Sequence, residues 1–91
     1  MARAATGSAQ DLGRALQLFY DGDYGRALPI FQGLKDGDET LDLLFWTGVS
    51  AGRSGQCGEA VENLKKLLSR RPDMLRAKLE LGVAHYNCRD Y

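Results

Sequence analysis

The chain has no stretch approaching the roughly 18 continuous apolar residues that a membrane-spanning helix needs. Its longest apolar cluster, Leu41 to Trp46, is broken by Asp42. It also lacks a charge of one sign. Twelve basic and 12 acidic residues cancel to a formal net charge of zero. Nothing in that balance favours nucleic acid or an anionic membrane surface as a partner. The basic pairs Lys65-Lys66 and Arg70-Arg71 share their segment with Glu59 and Glu62 and read as a solvated helix face. The opening MARAATGSAQ has no hydrophobic run and does not read as a secretory signal. Residues 1–7 read as a disordered lead-in.

Catalytic equipment is equally scarce. There is one histidine, no glycine-rich phosphate loop and no pair of acids in an apolar setting. A convergent nucleophile, base and orienting group cannot be assembled from this inventory. The expectation is a non-catalytic chain without a cofactor or metal. Proline is rare as well, with two residues, and no segment alternates as a strand would.

What the chain does have is a repeat. Gly22-Asp23-Tyr24 is followed by Ala27 and Phe31; Gly55-Gln56-Cys57 is followed by Ala60 and Leu64. The offsets are identical, and a third turn starts at Arg89-Asp90-Tyr91. Upstream of the last two turns, Trp46-Thr47-Gly48 matches Glu80-Leu81-Gly82. The step from Gly22 to Gly55 and the step from Gly55 to Arg89 agree to within one position. A constant period of roughly 34 residues marks stacked supersecondary units.

Each unit reads as two helices. Leu12, Ala15, Leu16 and Phe19 recur at helical spacing, and Gly22 interrupts them. Asp23 is a suitable cap for a second helix whose inner stripe is Ala27, Phe31 and Leu34. Gly37-Asp38 ends it. Leu41, Leu44, Phe45, Gly48 and Val49 begin the next unit; Ala60, Leu64, Leu67 and Leu68 complete it; Pro72 stops it. Asp73 is placed to cap a fifth helix carrying Leu75, Leu79, Gly82, Val83 and Tyr86. The predicted helices span 8–20, 23–35, 39–53, 56–70 and 73–88. Ala15, Ala27, Gly48, Ala60 and Gly82 are expected where helices cross closely. Pro29, past the first turn of its helix, removes a donor and crowds the carbonyl of Gly25, so a slight bend is predicted there.

These residues resemble the tetratricopeptide repeat, whose pattern sets a glycine and an aromatic in the first helix, a Gly-Asp-Tyr-like turn, an alanine and an aromatic in the second helix, then a proline. The best-matching unit, 41–74, carries it through Gly48, Gly55, Ala60, Leu64, Leu67 and Pro72. The first, 8–40, does so through Gly22, Asp23, Tyr24, Ala27 and Phe31. The third, 75–91, has Leu81, Gly82, Tyr86 and Asp90-Tyr91, and only its first helix. Ala15 stands where glycine is usual, the first unit has no terminal proline, and Cys57 stands where the turn tyrosine is usual. The resemblance implies an all-α, right-handed α-α superhelix of antiparallel hairpins. It also implies that the first helices line a concave groove for a peptide or partner helix.

By position that groove would present Leu12, Leu16, Phe19 and Tyr20, then Phe45, Trp46, Val49 and Arg53, then Arg76, Leu79, Glu80, Val83 and Tyr86. The family's carboxylate clamp of lysine and asparagine is missing, because Leu12, Leu16 and Phe45 hold those places. An apolar or amphipathic segment is the implied ligand, with Arg53 and Arg76 available to acids at its edge. Leu12, Leu16, Leu79 and Val83 read equally well as plain core, and Trp46 as packing between hairpins. Leu79, Leu81, Val83 and Tyr86 on the fifth helix have no following helix in the sequence. Self-association through that end is therefore the alternative function, and PDMLRAKLELGVAHYNCRDY is similar to repeats of bacterial cell-envelope proteins.

In such an array Cys57, opening the fourth helix, should lie near Cys88, closing the fifth. Three readings are open: two separate thiols, a disulfide worth on the order of 3 kcal/mol, or a three-ligand metal site with His85. A disulfide would place the chain in an oxidising compartment such as the periplasm, and free thiols in the cytoplasm.

Overall fold

The structure is a computed structural model that describes residues 9–88. The expectation of a disordered 1–7 segment and the third turn at 89–91 lie outside those residues. The described chain is all-helical: α1 (Ala9–Tyr20), α2 (Tyr24–Gly37), α3 (Leu41–Arg53), α4 (Cys57–Arg70) and α5 (Leu75–Cys88). Each helix packs on the next in sequence, and α3 is the hub, touching α2, α4 and α5.

The repeat is visible in backbone hydrogen bonding. Gly22 and Gly55, one repeat apart, have φ of 86° and 87°, the left-handed conformation that ends a helix without a Cβ penalty. Past each glycine the chain folds back identically. The Asp23 N–H donates to the Leu18 carbonyl, and the Gln56 N–H to the Ala51 carbonyl, both at 2.8 Å. This reach across the turn satisfies a carbonyl that the helix end would otherwise strand.

Helix starts depart from the expected caps. Asp23 occupies the N-cap of α2 but makes no side-chain cap bond; its carboxylate pairs with Arg26 at 3.6 Å instead. Asp73 does not cap α5, which starts two residues later at Leu75. A turn after Pro72 intervenes, and Asp73 pairs with Arg71 at 3.8 Å. Among the described residues a side-chain cap forms at Thr40, whose Oγ1 accepts from the Leu43 N–H at 3.2 Å. α2 runs unbroken through Pro29, which lies on the exposed side.

The core forms three contiguous patches. Ala15, Phe19, Ala27, Phe31, Leu34, Leu43 and Val49 seal α1 and α2 onto α3. Leu28, Ala51, Ala60, Leu64 and Ala84 join the second, third, fourth and fifth helices. Leu44, Leu67 and Ala77 close the far end. The small residues act as expected at Ala15, Ala27 and Ala60, all fully buried. Gly48 acts so most clearly: a Cβ there would stand 2.7 Å from Cγ of Leu64. Gly82 does not follow them, because nothing lies within 4 Å of the Cβ it lacks. Two hydroxyls in the core, on Thr47 and Ser50, are buried without a hydrogen-bond partner.

Candidate partner-binding face

The first helices of the units supply the side chains assigned to a groove, and packing sorts them into three groups. Val49 is overturned as a ligand contact: at 2 % exposure it is core, packed with Phe19 and Phe31, and has no surface to offer. Phe19 is core too. Leu12, Leu16 and Phe45 are half-buried against the core, and Val83 is half-buried. Trp46, also half-buried, stacks on Phe31 with centroids 5.6 Å apart, which is the packing reading of that residue. Tyr20, Leu79 and Tyr86 are exposed, at 75, 62 and 71 %.

Arg53 and Arg76 are not unpaired cations at a groove edge. Both close on Glu80, which is 3 % exposed. Nη2 of Arg53 donates to Oε1 and Oε2 of Glu80 at 3.3 and 3.1 Å. Nε of Arg76, one turn before Glu80 on α5, donates to Oε2 at 3.4 Å. Each guanidinium also lies over a ring, Arg53 over Tyr24 at 5.8 Å and Arg76 over Phe45 at 5.6 Å. A buried carboxylate is tolerable only with such partners. The ladder Tyr24, Arg53, Glu80, Arg76, Phe45 thus links three helices and carries one net positive charge. Its two arginines use one edge each on Glu80 and keep further N–H donors.

The sequence singles out both arginines but not the carboxylate as their anchor. The Arg76–Glu80 spacing of four residues is the signal that points to it. Asn63 gives no signal, yet it is buried on α4, where its Nδ2 donates to the Glu59 carbonyl at 2.7 Å and to Glu59 Oε2 at 3.3 Å. On the outer edge, Glu39 accepts from Lys66 at 3.3 Å and from Arg70 at 2.8 Å. The Lys66 hydrogen bond, with the charges of Lys66 and Arg70, holds the Glu39 carboxyl below its ordinary value.

Cys57 and Cys88 are joined as a disulfide with Cα atoms 5.7 Å apart, inside the range a disulfide spans. This removes the reading in which these sulfurs and His85 hold a metal, since neither sulfur is a free thiolate. The bond ties the first turn of α4 to the last residue of α5.

On α5, Leu75, Leu79, Gly82 and Tyr86 fall at i, i+4, i+7 and i+11, one face of the helix. All four are exposed, while Ala77 and Ala84 on the opposite face are buried. No family model matches the chain, and no curated protein or solved structure matches it. Among the described residues no helix is long and apolar enough to cross a membrane.

Proposed function

We propose that the chain is a non-catalytic protein-interaction module built of tetratricopeptide-type hairpins that wind into a right-handed superhelix. Its ligand is an apolar or amphipathic polypeptide segment. The observation that carries this reading is the placement of exposed apolar side chains. Leu75, Leu79 and Tyr86, three of the four large hydrophobic residues that stand exposed among the described residues, gather on one helix face. A contiguous uncovered patch of this kind is the usual mark of a protein contact. By their positions on the first helices, Phe45, Arg53, Arg76 and Val83, with Leu12, Leu16 and Tyr20 of the first unit, are the other residues this reading assigns to the ligand; Val49 is excepted by its burial. The Glu80 ladder holds the two arginines in fixed positions, which lowers the entropy lost when an acidic group on the ligand meets them. The disulfide favours an oxidising compartment for this module.

A displayed peptide library captured on the full chain tests the reading. Leu79→Ala and Tyr86→Ala are expected to lose most of the captured peptides while far-ultraviolet circular dichroism stays unchanged. Undiminished capture by both variants would refute it.

The exposure of the same α5 face supports self-association as a second reading. Sedimentation over a concentration series distinguishes it. A dimer lost on Leu79→Glu favours self-association, and a monomer at all concentrations rules it out.

A further inference from the structure

Cys57 and Cys88 stand at opposite kinds of helix end. Cys57 is the first residue of α4 and Cys88 the last of α5. The first-turn N–H groups of α4 have no acceptor within the helix. At α3 a side chain meets this need, because Thr40 accepts from the Leu43 N–H. At α4 the N-cap residue is Gln56, and its side chain makes no cap bond. The positive end of the α4 dipole and its opening donors therefore lie beside Cys57. Glu59, the acid of that first turn, is engaged along the helix, its Oε2 accepting from Nδ2 of Asn63 at 3.3 Å. At Cys88 the polarity is reversed, since the last carbonyls of α5 lack an intrahelical donor and its dipole ends negative. A thiolate is thus stabilised at Cys57 and disfavoured at Cys88.

Neither sulfur is sealed in the core. Both cysteines are half-buried, while Gly55, Gln56 and Gly58 around the first and His85 and Asn87 beside the second are exposed. The turn at Cys57 is uncluttered: nothing lies within 4 Å of Cβ positions built on Gly55 or Gly58. The contacts that seat α5 lie elsewhere. Ala77, Glu80 and Ala84 are its buried residues. Glu80 is tied to Arg53, and the Cβ of Ala84 is 3.4 Å from the Cβ position of Gly52. Cys88 is one turn beyond the last of these, so opening the bond loosens the end of α5 without removing its seat.

We propose that Cys57–Cys88 is a thiol–disulfide exchange site, opened in the folded chain by a dithiol reductant through attack on Cys88. This goes beyond the interaction-module reading and does not depend on it. A thiolate of the reductant bonds Sγ of Cys88. The bond between the two cysteines breaks, and its electron pair leaves on Sγ of Cys57. The direction follows because the sulfur better stabilised as a thiolate is the faster to leave. The second thiolate of the reductant then attacks the reductant's own sulfur in the mixed disulfide, and Cys88 departs and takes up a proton. Two electrons pass from the dithiol, which ends as a disulfide, to the chain, which ends with two unbonded cysteines. In the oxidised chain the end of α5 is pinned to the start of α4. In the reduced chain that end is released with the tie between Arg53 and Glu80 intact, so the bond is a redox switch on the last turn of α5.

The test mixes the oxidised full chain with glutathione, a monothiol that halts at the mixed disulfide, and quenches with iodoacetamide at successive times. Tryptic peptides 54–65 and 79–89 report Cys57 and Cys88 separately. Early products are expected to carry glutathione on Cys88 and the alkyl group on Cys57, by roughly fivefold or more over the reverse. Gln56→Asp, which caps the same N–H groups and sets a negative charge beside Cys57, is expected to slow the exchange severalfold. Dithiothreitol in excess is expected to complete the reduction with the far-ultraviolet spectrum retained. Equal labelling, or glutathione chiefly on Cys57, overturns the proposal. So does a rate that Gln56→Asp leaves unchanged, or a helical spectrum lost on reduction. Exchange that rises with urea in step with unfolding also overturns it, because the bond would then open only in the unfolded chain.

Discussion

Arg53 at the end of α3 bonds both carboxylate oxygens of Glu80 in the middle of α5, at 3.3 and 3.1 Å. This contact closes the second unit onto the third. Arg76 also reaches Glu80, but from one turn away on the same helix. The two arginines therefore do different work, although both meet one carboxylate. Losing Arg53 removes an interhelical tie and leaves a buried carboxylate with one weaker partner. Charge-assisted bonds of this kind contribute about 1.5 to 3 kcal/mol each. Arg53→Ala is expected to lower urea-unfolding stability by about 2 kcal/mol. Arg76→Ala, with a side chain 63 % exposed, is expected to cost about 1 kcal/mol or less. Equal losses would mean that the interhelical geometry adds nothing.

The two equivalent glycines Gly48 and Gly82 should respond with opposite sign to one substitution. Gly48→Ala forces a methyl to 2.7 Å from Leu64 Cγ, inside a fully buried contact. Overpacking of this sort costs roughly 1 to 3 kcal/mol. Gly82→Ala meets nothing within 4 Å and removes backbone freedom from the unfolded chain, so it is expected to stabilise by up to about 1 kcal/mol. Thermal or urea unfolding of both variants checks the sign, and a loss at Gly82 would place a neighbour against it.

The repeat is legible in the sequence because it rests on local chemistry. Left-handed turns need glycine, so Gly22 and Gly55 mark them, and the apolar stripes between predict helices whose ends shift by one or two residues. The α5 start is misjudged because Asp73 is as good a cap by type as Thr40. The choice between Asp73 and a further turn after Pro72 depends on where α4 leaves the chain. Burial along a first helix is less legible. Val49 and Val83 correspond by repeat, yet one is core and the other half-buried. That difference accompanies the surroundings of the two helices: α3 is packed by α2, α4 and α5, whereas α5 is packed by α3 and α4 among the described residues. Glu80 escapes notice as an anchor because its decisive partner, Arg53, lies on another helix, beyond any spacing rule.

Glu39 gives the fold a pH dependence of defined sign. Lys66 and Arg70 hold its carboxyl below the ordinary value of 4.5. A carboxyl lowered in the folded state binds fewer protons folded than unfolded across that interval. Its stabilisation is therefore present above about pH 4.5 and is lost as pH falls through the lowered value. The difference in stability between the natural chain and Glu39→Gln is expected to shrink steadily below about pH 4.5. Both ion pairs are solvent-accessible, so the difference should also shrink in about 1 M salt. A gap independent of pH from about 3 to 7 would assign the effect of Glu39 to packing.

The disulfide stabilises by a route the helices do not use. It closes a loop spanning a sequence separation of 31 residues, and the chain-entropy relation gives a loop of about 30 residues roughly 3 to 4 kcal/mol by restricting the unfolded chain. For a chain of 91 residues this is a large share of a typical margin of about 5 to 10 kcal/mol. Where it acts also matters. Residues Cys57 and Cys88 join α4 to α5, the helix on which Leu75, Leu79 and Tyr86 stand exposed, so the tie falls beside exposed apolar surface. A pair of serines at 57 and 88 is expected to lower the unfolding midpoint while keeping the far-ultraviolet spectrum. Hydrogen exchange should speed up most at the amides of α5, more than in α1 to α3. Mass spectrometry before and after reduction must show a two-dalton increase. Uniformly faster exchange across all five helices would mean that the bond acts on the whole fold and that α5 has no separate weakness.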